Sequence, residues 1–154
     1  MIETPIIVRT TARHTAIIPL IVPTDQIKDV MGPNIGELFA GIAAQGVMPA
    51  GPWFTHHHRR PTDTFDFEVS VPVATPIVVA GRLKPSQWPA MTVARTIYHG
   101  PYEGLAGAWG EFFAWIEANG HKTADDLWEC YLVGPESSPD PAAWRTELNR
   151  PLID

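Results

Sequence analysis

Cysteine is nearly absent. One residue, Cys130, stands in 154, which excludes an internal disulfide and any cysteine-based zinc site. Its apolar neighbours point to a packed thiol. Cationic charge is scarce as well. Eleven Lys and Arg oppose seventeen Asp and Glu, a net charge of −6, which suits phosphate backbones poorly. The only basic run, His58-Arg59-Arg60, is too short to change this. An acidic chain instead attracts cationic small molecules. No apolar run approaches the ~20 residues that a bilayer crossing needs. The start, MIETPIIVRT, carries neither the basic region nor the long apolar segment of a signal peptide. The expectation is a cytoplasmic protein with no nucleic-acid or membrane partner.

Apolar residues make up 45% of the 154, enough for one domain, 1–154, with a real core. Its organisation shows in a repeat. Gly36-Glu37-Leu38-Phe39-Ala40-Gly41-Ile42-Ala43-Ala44-Gln45-Gly46 returns 74 residues later as Gly110-Glu111-Phe112-Phe113-Ala114-Trp115-Ile116-Glu117-Ala118-Asn119-Gly120. Both read as amphipathic helices stopped by glycine. Ile35, Leu38, Phe39 and Ile42 form the apolar stripe of the first. Leu105, Trp109, Phe112, Phe113 and Ile116 form that of the second. Pro33, after Gly32, fits a first helical turn, with Asp25–Met31 as a separate turn before it.

Strands are expected at His14–Val22, Trp53–Arg59 and Phe65–Val73 around the first helix. Val93–His99, Leu127–Val133 and Trp144–Leu152 surround the second, and Ile77–Arg82 leads into that copy. The fold class is therefore α+β, a tandem βαββ pair with antiparallel sheets and two main helices. The copies run from about 5 to 75 and about 76 to 154. A pseudo-twofold pairing would leave a ligand cleft at the seam between them.

Leu127-Trp128-Glu129-Cys130-Tyr131-Leu132-Val133 is the most informative stretch. Period two puts Glu129, Tyr131 and Val133 on one face and Trp128, Cys130 and Leu132 on the other. Both faces are apolar apart from Glu129, and an isolated buried carboxylate is costly. Three readings are open: an ion pair with Arg59 or Arg95, a protonated core acid, or an anchor awaiting a cationic ligand. Six tryptophans supply possible aromatic walls for the third, though most must be core or rim. Trp53 and Tyr98 lie on strands expected beside Glu129, whereas Trp109 sits on a buried helix stripe.

His56-His57-His58 alternates across a strand, so its three imidazoles cannot converge. Two of them with no Cys or carboxylate nearby make a weak zinc site, and a solvated strand end is simpler. No metal or cofactor is expected.

The chain resembles the GyrI-like family, the effector-binding domain of bacterial transcription activators. Tyr98-His99-Gly100-Pro101-Tyr102, Trp128-Glu129-Cys130-Tyr131-Leu132, Gly51-Pro52-Trp53-Phe54 and Thr146-Glu147-Leu148-Asn149-Arg150-Pro151-Leu152 carry the likeness. The resemblance implies a tandem βαββ (SHS2) fold and multidrug recognition of bulky, often cationic, aromatic compounds. It places the pocket glutamate at Glu129, with Tyr131 facing the same pocket; Trp53, Phe54, His57, Tyr98 and Trp109 complete the set of expected ligand-binding residues. His57 stands near where many members carry a tyrosine. The repeat pair occupies the sequence, so the likeness is to stand-alone members that do not bind DNA themselves.

Some stand-alone members bind DNA gyrase; others are hydrolases that open cyclopropane rings, a role that would fall to Glu129 with Tyr98 or Tyr131. A related tandem fold binds haem, but among His14, His56, His99 and His121 nothing singles out a ligand. The expected function is small-molecule binding, with hydrolysis and a protein partner (gyrase or a transcription regulator) as alternatives.

Overall fold

Glycine ends both helices in the same way. In the computed structural model, which describes residues 1–153, the repeated segments lie in Ile27–Ala44 (α1) and Leu105–Ala118 (α2). Gly46 and Gly120 follow at φ +69° and +73°, a region open to glycine without steric cost. Each donates to a carbonyl of the last turn, Ala43 at 3.0 Å and Glu117 at 3.0 Å. The next residues, Val47 and His121, reach back to Ile42 at 3.0 Å and Ile116 at 3.2 Å. Both ends are thus complete Schellman motifs. The expected break at Pro33 is corrected, because α1 runs through it. Proline removes a bond to the carbonyl four residues back, here that of Asp29. Pro33 and Asp29 are both exposed, so water can satisfy that carbonyl.

The chain forms two compact units, one of Thr11–Ala90 and one of Met1–Thr10 with Met91–Asp154. The strands are Ile6–Arg9 (β1), Arg13–Pro23 (β2), Phe54–His57 (β3), Thr64–Pro72 (β4), Lys84–Trp88 (β5), Thr92–His99 (β6), Leu127–Val133 (β7) and Arg145–Pro151 (β8). Within Thr11–Ala90 the antiparallel order is β3-β4-β2-β5. Alternate residues such as Ile18, Leu20, Phe67, Val69 and Val71 pack with Leu38 and Ile42 of α1. In the other unit the order is β1-β6-β8-β7. There Ala94, Tyr98, Leu127 and Leu148 pack with Trp109, Phe112 and Ile116 of α2. The α+β class and the βαββ pattern are both present.

Packing divides the chain elsewhere than the sequence repeat, at 10/11 and 90/91 rather than near 75. The reason is the two edge strands. β1 pairs with β6 and β5 pairs with β2, so each joins the unit built around the other copy's helix. The strand expected at Ile77–Arg82 is corrected to Lys84–Trp88. Ile77 and Leu83 are buried against α1's core, which explains their apolar character without a strand. Lys84-Pro85-Ser86-Gln87 is exposed, and proline is tolerated there because β5 is an edge.

Gly110 and Gly120 give opposite predictions within one helix. Gly110 is exposed and a Cβ there meets nothing within 4 Å, so Gly110→Ala should stabilise by about 0.5–1 kcal/mol. Gly120→Ala should destabilise by about 1 kcal/mol, because alanine is strained at positive φ. Urea unfolding of both variants checks the signs.

Candidate functional site

Glu129 lies on β7 in register with Leu148 of β8, and Tyr131 in register with Thr146. Leu127 and Leu148 belong to the core beneath α2, so alternation turns Glu129 and Tyr131 to the helix side of the sheet. Two neutral donors hold the half-buried carboxylate. Trp109 Nε1–H of α2 donates to Oε1 at 2.8 Å, and the Tyr131 hydroxyl donates to Oε2 at 2.8 Å. No cationic side chain pairs with it among the described residues.

The expected ion-pair partners are engaged elsewhere. Arg95 donates to Asn149 at 2.7 Å and lies 3.4 Å from Glu147, while Arg59 donates to Thr62 and Thr64. Arg150 reaches the Ala124 carbonyl and lies over the Phe113 ring at 4.7 Å. The ion-pair reading is therefore corrected: the carboxylate has donors but no counter-charge.

Aromatic rings surround this group. Trp109 packs on Phe112 and Phe113 at 5.7 and 5.4 Å. Tyr131 meets Tyr102 edge-on at 5.9 Å, and Tyr102 lies on Trp144 at 4.9 Å. Trp144 is fixed in turn by its indole N–H to the Ser138 carbonyl at 3.0 Å. Burial, then the negative charges of Glu136 and Glu129, push the Tyr102 phenol up to about 12. Beside Tyr131, the Thr146 hydroxyl is fully buried and has no hydrogen-bond partner among the described residues.

Tyr102, Trp144, Glu136 and Thr146 are not among the site residues expected from the sequence. Tyr102 had a signal, since it closes the Gly-Pro-Tyr turn before α2. The others enter through strand register and the 134–144 loop, which sequence spacing does not reveal. Tyr98 has a different task. Its hydroxyl donates to the Pro101 carbonyl at 2.8 Å, and the ring is buried in the α2 core. Gly104 is required beneath it, because a Cβ there would overlap the Tyr98 hydroxyl.

Trp53, Phe54 and His57 belong to the Thr11–Ala90 unit. Phe54 packs edge-on against Trp88 at 5.1 Å. His57 stacks on Phe67 at 5.1 Å and its Nε2 lies 3.0 Å from the Thr55 hydroxyl. His56 and His58 do have carboxylates beside them, contrary to expectation, because the register sets His56 opposite Glu68.

The model of the GyrI-like small molecule binding domain matches residues 3–152. The chain belongs to that family. No curated protein matches the sequence. Among solved structures this GyrI-like domain is similar to the EcmrR C-terminal domain, with 24% identity, a TM-score of 0.87 and 98% of both chains covered. In the EcmrR–DNA complex the same likeness spans 57% of the EcmrR chain. SAV2435 bound to tetraphenylphosphonium shares 8% identity at a TM-score of 0.67, covering 98% of this chain and 94% of that one. A hydrolase from Listeria innocua shares 13% at 0.66, covering 97% and 91%. At these identities the likeness is one of fold. No helix among the described residues is long and apolar enough to cross a membrane.

The raised Tyr102 pKa fixes a sign. In the unfolded chain this phenol loses its proton near its ordinary value of 10, and in the folded chain near 12. Between those values the unfolded state binds fewer protons, so stability falls as pH rises. Denaturant midpoints measured across that window should drop for wild type and drop less for Tyr102→Phe. Separately, Gly104→Ala should cost about 1–3 kcal/mol by overpacking against Tyr98, read as a lowered thermal midpoint.

Proposed function

We propose that this GyrI-like domain captures bulky aromatic cations, with Glu129 as their charge partner. The observation that carries the reading is a half-buried carboxylate held by Trp109 and Tyr131 with no cation paired to it. In water such a carboxylate would gain little from a cation; where rings exclude solvent the attraction is stronger. Tyr102, Tyr131 and Trp109 add faces worth roughly 0.5–2 kcal/mol for each well-placed cation–π contact. Flat rings make few directional demands, which favours recognition by size and charge over recognition of one shape. The fold neighbour SAV2435 bound to tetraphenylphosphonium, a lipophilic aromatic cation, supports the same chemistry.

Hydrolysis of cyclopropane-bearing or otherwise reactive compounds is the second reading. Its support is the contact of the Tyr131 hydroxyl with Glu129 at 2.8 Å, a proton donor beside a candidate base. The hydrolase among the fold neighbours adds to it. Tyr98 is a poorer proton donor, since its hydroxyl is committed to Pro101.

Tryptophan fluorescence titration with tetraphenylphosphonium and with neutral triphenylphosphine oxide tests the binding reading. Glu129→Gln should weaken the cation by about tenfold or more and leave the neutral compound nearly unchanged, with circular dichroism intact. Equal losses for both compounds would reject Glu129 as a charge anchor. Turnover of a cyclopropane-bearing substrate that vanishes in Glu129→Gln would favour the hydrolase.

A further inference from the structure

The β3–β4 hairpin carries a second group of polar side chains that cation capture does not use. His56 faces Glu68 in register, and the His58 backbone N–H donates to the Asp66 carbonyl at 3.0 Å. Thr55, His57, Phe67 and Val69 alternate with these residues, and Phe67 and Val69 lie in the α1 core. His56, His58, Asp66 and Glu68 therefore share the opposite face. We propose that His56, His58 and Glu68 form a binding site for a divalent transition metal of the zinc class, with Asp66 as its supporting residue.

Three observations carry this. First, one ligand atom from each of His56, His58 and Glu68 lies within 4.8 Å of the other two. His56 Nδ1 is 3.2 Å from Glu68 Oε1, and His58 Nε2 is 3.4 Å from Oε2. A tetrahedron with zinc–ligand bonds near 2.0–2.1 Å has edges of about 3.3 Å, so small side-chain rotations bring the three donors to bonding distance.

Second, His58 Nδ1 lies 3.0 Å from Asp66 Oδ1. A proton on Nδ1 donated to that carboxylate leaves the Nε2 lone pair directed toward Glu68. This carboxylate–histidine–metal arrangement fixes the tautomer and raises the basicity of the ligand nitrogen. Third, two neutral imidazoles and two carboxylates bring two negative charges, which a divalent ion balances. His56 and Glu68 are each 16% exposed at the side chain and His58 is 42% exposed. The site is thus seated on the β3–β4 pair, with His58 one residue past β3, and is open on the His58 side, where water would complete the coordination. Imidazole and carboxylate ligands suit zinc, and the same set also takes nickel or copper.

The test uses untagged full-length protein freed of metal by chelator dialysis. Zinc is titrated in competition with a chromophoric chelator, and thermal unfolding is followed with and without zinc. Wild type should bind one zinc per chain and melt higher in its presence. His58→Ala and Glu68→Gln should abolish both effects, and Asp66→Asn should weaken binding about 10–100-fold. His14→Ala, outside the group, should bind as wild type. Because His58 lies outside the buried core, its variant keeps the fold and decides the matter even if Glu68→Gln does not. Wild-type affinity weaker than about 100 μM, or zinc binding that persists unchanged in His58→Ala, would overturn the proposal. Tetraphenylphosphonium titration of the same variants separates this site from Glu129.

Discussion

The candidate site depends on how a negative charge is kept in a partly apolar setting without a counter-ion. Two neutral hydrogen bonds do it, from the Trp109 indole and the Tyr131 hydroxyl. They compensate the lost hydration of Glu129 without cancelling its charge. An arginine in their place would have satisfied the carboxylate more fully and cancelled its charge. The same requirement accounts for Trp109 in the buried stripe of α2, where a purely apolar ring would pack as well but donate nothing. It also accounts for the arrangement nearby. Arg95 of β6 donates to Asn149 of β8 and Arg150 of β8 to the Ala124 carbonyl before β7, and neither pairs with Glu129.

Much of the fold was legible in the sequence, for reasons that can be named. The 74-residue repeat exposed both helices because glycine stops and apolar stripes are local signals. β7 was legible to the residue, as Leu127–Val133, because its apolar run is bounded by polar residues on one side and Gly134-Pro135 on the other. β1 and β5 were not legible. They are short, exposed edges whose identity comes only from pairing with distant partners, β6 and β2. Pro33 misled in the other direction: a helix-breaking residue is harmless where the carbonyl it strands faces water.

Of the site, Glu129, Tyr131 and Trp109 were legible, since an acid in an apolar strand and an indole on a helix stripe are conspicuous. Their joining by hydrogen bonds was not, and neither was the bond that commits the Tyr98 hydroxyl to Pro101. That bond ties β6 to the turn that leads into α2. The histidines show the same limit. Alternation correctly put His56 and His58 on one face, but the carboxylates opposite them depend on β3–β4 register, which sequence alone leaves open.

The exchange of edge strands also bears on how the chain comes to be folded. The Thr11–Ala90 unit is continuous in sequence, so every strand that it contains is synthesised before the second helix. The other unit joins Met1–Thr10 to Met91–Asp154, and β1 must wait for β6 across an intervening segment of some 80 residues, a slow, non-local closure. Until β6 is made, β1 with its Ile6, Ile7 and Val8 is an apolar strand without its pairing partner, the kind of edge that invites mispairing.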